Sequence, residues 1–268
     1  MSAPHTVTEL DGAEAGADLL WALAVSNYGH FTSMQVRDGA VQGLDHHLER
    51  LDRQSRELFG RGLPADRVRE HVRHALAGVP DASVRVAVYS GEGRRPSAVA
   101  PAELHVVVTA GPPVAAEESR VRVCTVAYER DLPAVKHVAT FGLTYHWRRA
   151  QGLGFDDALF VDRNGLVSEG TVWNVGFFDG TGVVWPEAAM LPGVSMRVLQ
   201  DGLDLRGVPW SVRPVPVSEA GRFPFAFSSN SINPVRPLAA IDAVTFAPDP
   251  AVAELLSSAY RATPARTV

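Results

Sequence analysis

Lys136 is the only lysine among 25 basic residues; the others are all arginine. A bias towards arginine explains the trend but not the survivor. Arginine replaces lysine in most surface ion pairs, yet it cannot form an imine at neutral pH. Lys136 lies in Leu132-Pro133-Ala134-Val135-Lys136-His137. Apolar surroundings of this kind favour the neutral, nucleophilic amine. The plainer alternative is a lysine that snorkels at a helix start. Further on comes Val167-Ser168-Glu169-Gly170-Thr171-Val172-Trp173-Asn174. Glu169 sits there at a strand end, between a turn and an apolar run, where a carboxylate is otherwise a surface group. Leu191-Pro192-Gly193-Val194-Ser195 then stands just before a predicted helix. Free N–H groups and a hydroxyl at a helix N-terminus suit a phosphate. Taken alone, Ser195 reads as a plain N-cap.

These residues need elements to position them. Asn27–Gly43 alternates loosely around Asp38-Gly39, a hairpin turn signal. Leu48, Leu51, Leu58 and Phe59 recur at helical spacing from Asp45 to Phe59, with Gly60 as the stop. A second helix is predicted over Ala65–Leu76, then strands at Ser83–Ser90 and Glu103–Thr109. Gly111-Pro112-Pro113 through Glu118 reads as a linker. The domain reading is therefore residues 1–112, a linker at 113–119, and a larger domain at 120–268 that carries the lysine.

In that second half a strand is predicted at Arg120–Tyr128, interrupted by Asp131-Leu132-Pro133. A helix from about Lys136, or shortly after it, to Gln151 follows, ending near Gly152. Strands come next at Asp157–Asp162, Leu166–Phe178 and Val183–Trp185, with turns at Asn164-Gly165 and at Asp179-Gly180. The remaining predictions are a helix from Pro192-Gly193 to Leu205, strands at Trp210–Val215 and Phe225–Ser228, a short segment near Pro234–Ile241, and a helix at Pro250–Arg261. The class is mixed α/β in two blocks.

Composition narrows the function. The chain is 46% hydrophobic and 21% charged, with a net charge of −5. That supports real cores and argues against nucleic acid or an anionic membrane as the main partner. No stretch approaches the ~18 apolar residues of a membrane span. Met1–Gly16 has no signal-peptide core. Cys124 is alone, so an internal disulfide or a cysteine-based zinc set is not expected. The nine histidines show no metal spacing. A cytoplasmic location is the default reading.

Taken together, the motifs resemble the class IV aminotransferases, the fold-type-IV pyridoxal phosphate enzymes. That group includes branched-chain aminotransferases, D-amino acid aminotransferases and aminodeoxychorismate lyases. The resemblance runs from about Tyr28 to Ile241, with Lys136, Ser168-Glu169-Gly170, Asn174 and Leu191–Ser195 in the family order. Phe31-Thr32-Ser33-Met34-Gln35-Val36 and His47-Leu48-Glu49-Arg50-Leu51 look most like the lyase branch. Ser229-Asn230-Ser231-Ile232-Asn233-Pro234-Val235 matches a late family loop.

The resemblance implies a two-domain fold with the cofactor at the domain interface, and a homodimer. It makes Lys136 the imine lysine and proton shuttle, and Glu169 the partner of the pyridine nitrogen. It makes Arg50 a phosphate ligand, although helical periodicity alone would turn Arg50 to solvent. Val194 and Ser195 would add phosphate donors, and Ser228 another. Tyr28, His30 and Thr32 would line the substrate pocket. Arg85 aligns with a branched-chain arginine that receives the substrate carboxylate, against the alternative of an exposed strand residue. Two departures stand out. Phe141 occupies the place of a tyrosine beside the cofactor, and Ser90 stands where D-amino acid enzymes carry an arginine. The leading expectation is transamination between an amino acid and a 2-oxo acid. The alternatives are a lyase using the same imine, or a cofactor-binding protein without turnover.

Overall fold

The computed structural model describes residues 6–17, 21, 23, 25–90 and 103–268. The chain divides into two units. One comprises Met1–Ala115, Val135–Ala139 and Ala265–Val268; the other comprises Ala116–Ala134 and Thr140–Pro264. Among the described residues, no helix is long and apolar enough to cross a membrane.

The first unit is an antiparallel sheet with helices on one face. Numbered along the chain, its strands are β1 (Val7–Leu10), β2 (Ala13–Glu14), β3 (His30–Arg37), β4 (Ala40–Gln42), β5 (Ala82–Ser90), β6 (Leu104–Gly111) and β16 (Ala265–Thr267). Their order across the sheet is β16-β4-β3-β5-β6-β1-β2. The β3–β4 hairpin turns on Asp38 and Gly39 at φ 51° and 71°. Two consecutive positive φ values are what an Asp-Gly pair tolerates and what a tight hairpin requires. Met34 and Val36 alternate onto one face, with Val84, Val86 and Val88 of β5 beside them. Helices α1 (Leu44–Phe59) and α2 (Ala65–Leu76) cover that face with Leu44, Leu48, Leu51, Phe59, Val68 and Val72. Each such fully buried side chain contributes roughly 1.5–3 kcal/mol. This packing, more than helix propensity, holds the α1 residues discussed below.

The second unit closes a sheet on itself. Its strands are β7 (Val121–Ala127), β8 (Asp157–Val161), β9 (Val167–Gly170), β10 (Asn174–Phe178), β11 (Val183–Pro186), β12 (Trp210–Arg213), β13 (Phe225–Ser229), β14 (Arg236–Ile241) and β15 (Val244–Thr245). Strands β10, β13, β14, β7, β8 and β9 follow in order, and β9 returns to β10 through Glu169 opposite Asn174. Residue alternation sorts the two sides of this ring. Val175, Phe177, Leu159 and Ala226 belong to one core cluster with Val121, Val123 and Leu238. Their neighbours Phe178, Phe225 and Phe227 belong to another, under α4 (Val194–Leu205) and α5 (Pro250–Ala262). Ala158 and Phe160 pack against Leu143 and Ala150 of α3 (Phe141–Gly152).

Three expectations need correction. The helix predicted to start near Lys136 begins at Phe141. The lysine segment instead makes a single antiparallel bridge to β3: Phe31 N–H donates to the Lys136 carbonyl at 2.9 Å, and Val138 N–H donates to the Gly29 carbonyl at 2.9 Å. A backbone spent on sheet pairing cannot also start a helix. For the same reason Lys136 belongs to the first unit and not to the larger C-terminal block. The last residues also leave that block, because Ala265–Thr267 pairs with β4.

Candidate active site

In the first unit the site is built outward from one bridge, His30 opposite His137. Residues opposite each other in an antiparallel pair point the same way. Lys136, opposite Phe31, therefore joins Phe31 on the sheet face away from α1 and α2. Its Nζ lies 4.9 Å from the centroid of the Phe31 ring. Gln54, a fully buried residue of α1, accepts a hydrogen bond from the Lys136 backbone N–H at 3.2 Å. Gly29 permits this pairing, since a Cβ there would fall 2.7 Å from the Tyr89 ring and 2.8 Å from the Val88 carbonyl.

Arg85 occupies the same face. Its Cζ stands 3.5 Å over the Phe31 ring. The strand position leaves part of it exposed. Burial lowers the Arg85 pKa from its usual value, opposed by Tyr89. Lys136 and Arg85 thus share one ring, and their separation cannot exceed the sum of the two distances. An amino acid bound at its nitrogen and held at its carboxylate can bridge such a spacing.

Arg50 is buried, at 5% exposure. Helical periodicity alone turned it to solvent; the motif reading did not. Its Nη2 donates to Thr32 Oγ1 and lies 3.4 Å from His47 Nδ1, while Thr32 Oγ1 and His47 Nδ1 are 2.6 Å apart. A guanidinium has only hydrogens to give. Thr32 therefore accepts from Arg50 and donates to His47, which makes Nδ1 an acceptor and the imidazole neutral. The pKa agrees: burial, then Arg50, His46 and Lys136, hold His47 well below the usual histidine range. His30, hydrogen-bonded to Ser55 at 2.9 Å, falls to about 3 through burial and Arg50. Two neutral histidines beside a buried cation leave a local positive charge, the setting an anion needs.

Thr32 and His30, which the resemblance placed at the substrate pocket, turn their side chains to α1. Both have no exposed surface and both hydroxyl or ring partners lie on α1. Thr32 props Arg50. Tyr28 is exposed, but its hydroxyl donates to the Leu58 carbonyl at 3.0 Å and its ring meets Phe59 edge-on at 5.7 Å.

In the second unit, Glu169 is buried on β9, and its Oε1 accepts from Arg130 Nη1 at 3.1 Å. Its bridge partner Asn174 donates through Nδ2 to the Leu191 carbonyl at 2.8 Å. Gly193 rests on the same amide: a Cβ there would fall 2.1 Å from Asn174 Oδ1. Direct contacts thus join Glu169, Asn174 and the start of α4. Gly193 is the N-cap of α4 and gives it no side-chain cap. Ser195 is therefore not an N-cap; it lies inside the first turn, with its hydroxyl bonded to Tyr260. Burial pushes Tyr260 up to about 12. Val194 and Ser195 carry first-turn N–H groups, which helix geometry leaves without intrahelical acceptors.

Ser228 is buried and donates to the Arg236 carbonyl at 3.3 Å. Its neighbour Ser229 is 1% exposed, faces Asn174 across the β10–β13 pair, and has no hydrogen-bond partner for its hydroxyl among the described residues. Sequence reading singled out Ser228 and passed over Ser229; strand register decides between such neighbours. It also missed Arg130, although a carboxylate in an apolar strand calls for a cation somewhere. Phe141 opens α3 at 83% exposure, stacked on Tyr145.

The donor set fits pyridoxal phosphate. A primary amine lies on an aromatic face, and a buried guanidinium and an uncapped helix start can take a phosphate. An orphaned buried hydroxyl adds a donor, and a buried carboxylate can face a ring nitrogen.

Comparison with known proteins agrees. A family model described as amino-transferase class IV matches residues 29–241. No curated protein sequence matches. A branched-chain aminotransferase from Thermoproteus uzoniensis, solved with norvaline, superposes with a TM-score of 0.81 at 19% identity, covering 97% of this chain and 94% of its own. The branched-chain amino acid aminotransferase of Thermobaculum terrenum in its PLP form gives 0.81 at 19% identity, covering 96% and 93%. A putative 4-amino-4-deoxychorismate lyase from Legionella pneumophila gives 0.77 at 19% identity, covering 86% and 89%.

Proposed function

Because the chain belongs to the class IV aminotransferases, fold-type-IV enzymes that use pyridoxal phosphate, we propose that it transfers the amino group of an amino acid to a 2-oxo acid. The observation that carries this reading is the pairing of Lys136 and Arg85 on the Phe31 ring. The cofactor, when bound, supplies an electron sink for the pair left at the substrate α-carbon. Everything else is the work of the protein's own groups.

Lys136 Nζ is the amine that would hold the cofactor and, once the substrate amine had taken its place, would carry the proton from the substrate α-carbon. Both tasks need the amine in its neutral form. Arg85 receives the substrate carboxylate as a two-pronged donor. Arg50 would hold the phosphate as a charged donor, and the first-turn N–H groups of Val194 and Ser195 are further phosphate donors, with Ser228 as the resemblance implies. Glu169 would pair with the ring nitrogen and keep that nitrogen protonated.

The lyase reading keeps the lyase-like Phe31–Val36 and His47–Leu51 segments and the likeness to the Legionella protein titled a lyase. A lyase needs contacts for a bulky cyclic substrate; Arg85 answers instead to a simple amino acid. The test offers single amino acids with 2-oxoglutarate or pyruvate and follows the second amino acid formed. Appearance of that product supports transamination. Pyruvate release from a chorismate-derived or β-substituted substrate, with no amino group reaching any keto acid, supports the lyase.

The proposal includes a cytoplasmic homodimer. Phe141 and Tyr145, stacked on each other at one face of α3, are 83% and 49% exposed. Exposed apolar patches of this kind mark interaction surfaces. Sedimentation of the purified protein reads the state directly; a monomer at micromolar concentration contradicts it.

A further inference from the structure

Arg130 stands in the loop after β7 and has no part in the reading above. Its Nη1 donates to Glu169 Oε1 at 3.1 Å, and the two side chains are 6% and 7% exposed. Isolated buried charges are costly, so a buried arginine on a buried carboxylate is a placed feature of the unit. Guanidinium stays charged at every relevant pH.

We propose that Arg130 is a positioning residue that keeps the shared proton on the cofactor's ring nitrogen rather than on Glu169. The inference rests on Glu169 being the partner of that nitrogen. A carboxylate and a pyridine nitrogen share one proton. In a buried setting the neutral arrangement, proton on the carboxylate, competes with the charged one. A fixed positive charge on the carboxylate repels the proton and so shifts it to the nitrogen. The same hydrogen bond commits Oε1 and fixes the carboxylate plane. Arg130 thereby sustains the positive ring that makes the cofactor a sink.

The test uses holoenzyme reconstituted with cofactor labelled with nitrogen-15 in the ring, read by nitrogen NMR, with melting temperature recorded in parallel. The parent signal should sit in the protonated range. Arg130→Gln should move it part of the way to the neutral-pyridine position. Arg130→Lys, which keeps the charge, should hold it near the parent position. A signal unmoved in Arg130→Gln while its melting temperature falls makes Arg130 merely structural and overturns the proposal.

Glu169→Gln separates the two levels of argument. It should carry the signal to the neutral range, and a ring signal indifferent to Glu169→Gln refutes the Glu169 assignment itself. Should Arg130→Gln fail to fold, arginine side-chain nitrogen signals in the parent serve instead. The Arg130 signal, assigned by its loss in Arg130→Lys, should shift when cofactor is loaded. No shift on loading overturns the proposal.

Discussion

His137 pairs with His30 across an antiparallel bridge, and this pairing aims the preceding residue, Lys136, onto the Phe31 face of the sheet. The lysine is positioned by strand register rather than by a helix. Its direction is thus as well determined as the sheet, because a one-residue slip would turn it to the other face.

The support beneath Arg50 can be weighed. Thr32→Val keeps the shape and removes the hydroxyl that accepts from Arg50 and donates to His47. A net hydrogen bond is worth about 0.5–1.5 kcal/mol, so cofactor affinity should fall by up to about tenfold. Arg50→Ala should cost more, about ten- to a hundredfold, as a lost charged contact. Spectroscopic titration of apoprotein with cofactor measures both. A Thr32→Val affinity equal to the parent's would show that Arg50 needs no prop.

Arg85→Gln should raise KM for the amino acid by about ten- to a hundredfold, the range expected for a charged hydrogen bond. Cofactor content should not change, because Arg85 faces the substrate side of Phe31. Steady-state kinetics decide. An unaltered KM returns Arg85 to the role of an exposed strand residue.

Gly193→Ala sets a methyl group 2.1 Å from Asn174 Oδ1. The turn must shift, and the first N–H groups of α4 shift with it. Cofactor affinity should drop by about tenfold or more, on the scale of a lost phosphate contact. Asn174→Ala in the same chain removes the obstacle and should restore part of the loss. No change in the single variant would place the phosphate elsewhere.

The histidines give a pH dependence of stability. His30 is depressed to about 3 and His47 well below its ordinary value, both chiefly by burial. The unfolded chain therefore binds more protons than the folded one at pH below ~6.5. Stability contributed by the neutral imidazoles is present above that pH and is lost as pH falls towards 3. The slope should approach roughly 1.4 kcal/mol per pH unit for each histidine. Urea unfolding at pH 7.5, 6.0 and 5.0 tests this, with His30→Asn expected to flatten the curve. A midpoint independent of pH over that range contradicts it.

Much of this was legible in the sequence, for reasons that differ by element. Ala65–Leu76 was readable because Val68, Val72 and Leu76 fall at helical spacing. Lys136, Glu169 and the Gly193-Val194-Ser195 turn stood out because their residue types suit imine, ring-nitrogen and phosphate chemistry. Arg50 was ambiguous, since its burial depends on Thr32 and His47 and not on the helix stripe. The edge strand Ala265–Thr267 carries almost no alternation and becomes a strand only through a partner distant in sequence, Ala40–Gln42. The Arg130–Glu169 pair and the Ser229 register are likewise long-range facts that no local pattern encodes. The lysine segment misled for the same reason, since its strand partners, Gly29 and Phe31, lie more than a hundred positions earlier.

The most direct measurement is borohydride reduction of the cofactor-saturated protein, followed by digestion and mass spectrometry. Reduction fixes the cofactor to the amine that holds it. With one lysine in the chain, the result is unambiguous. The account predicts a single cofactor adduct on the peptide containing Lys136, and the loss of that adduct in Lys136→Arg. An unmodified Lys136 peptide from saturated, reduced protein would contradict it.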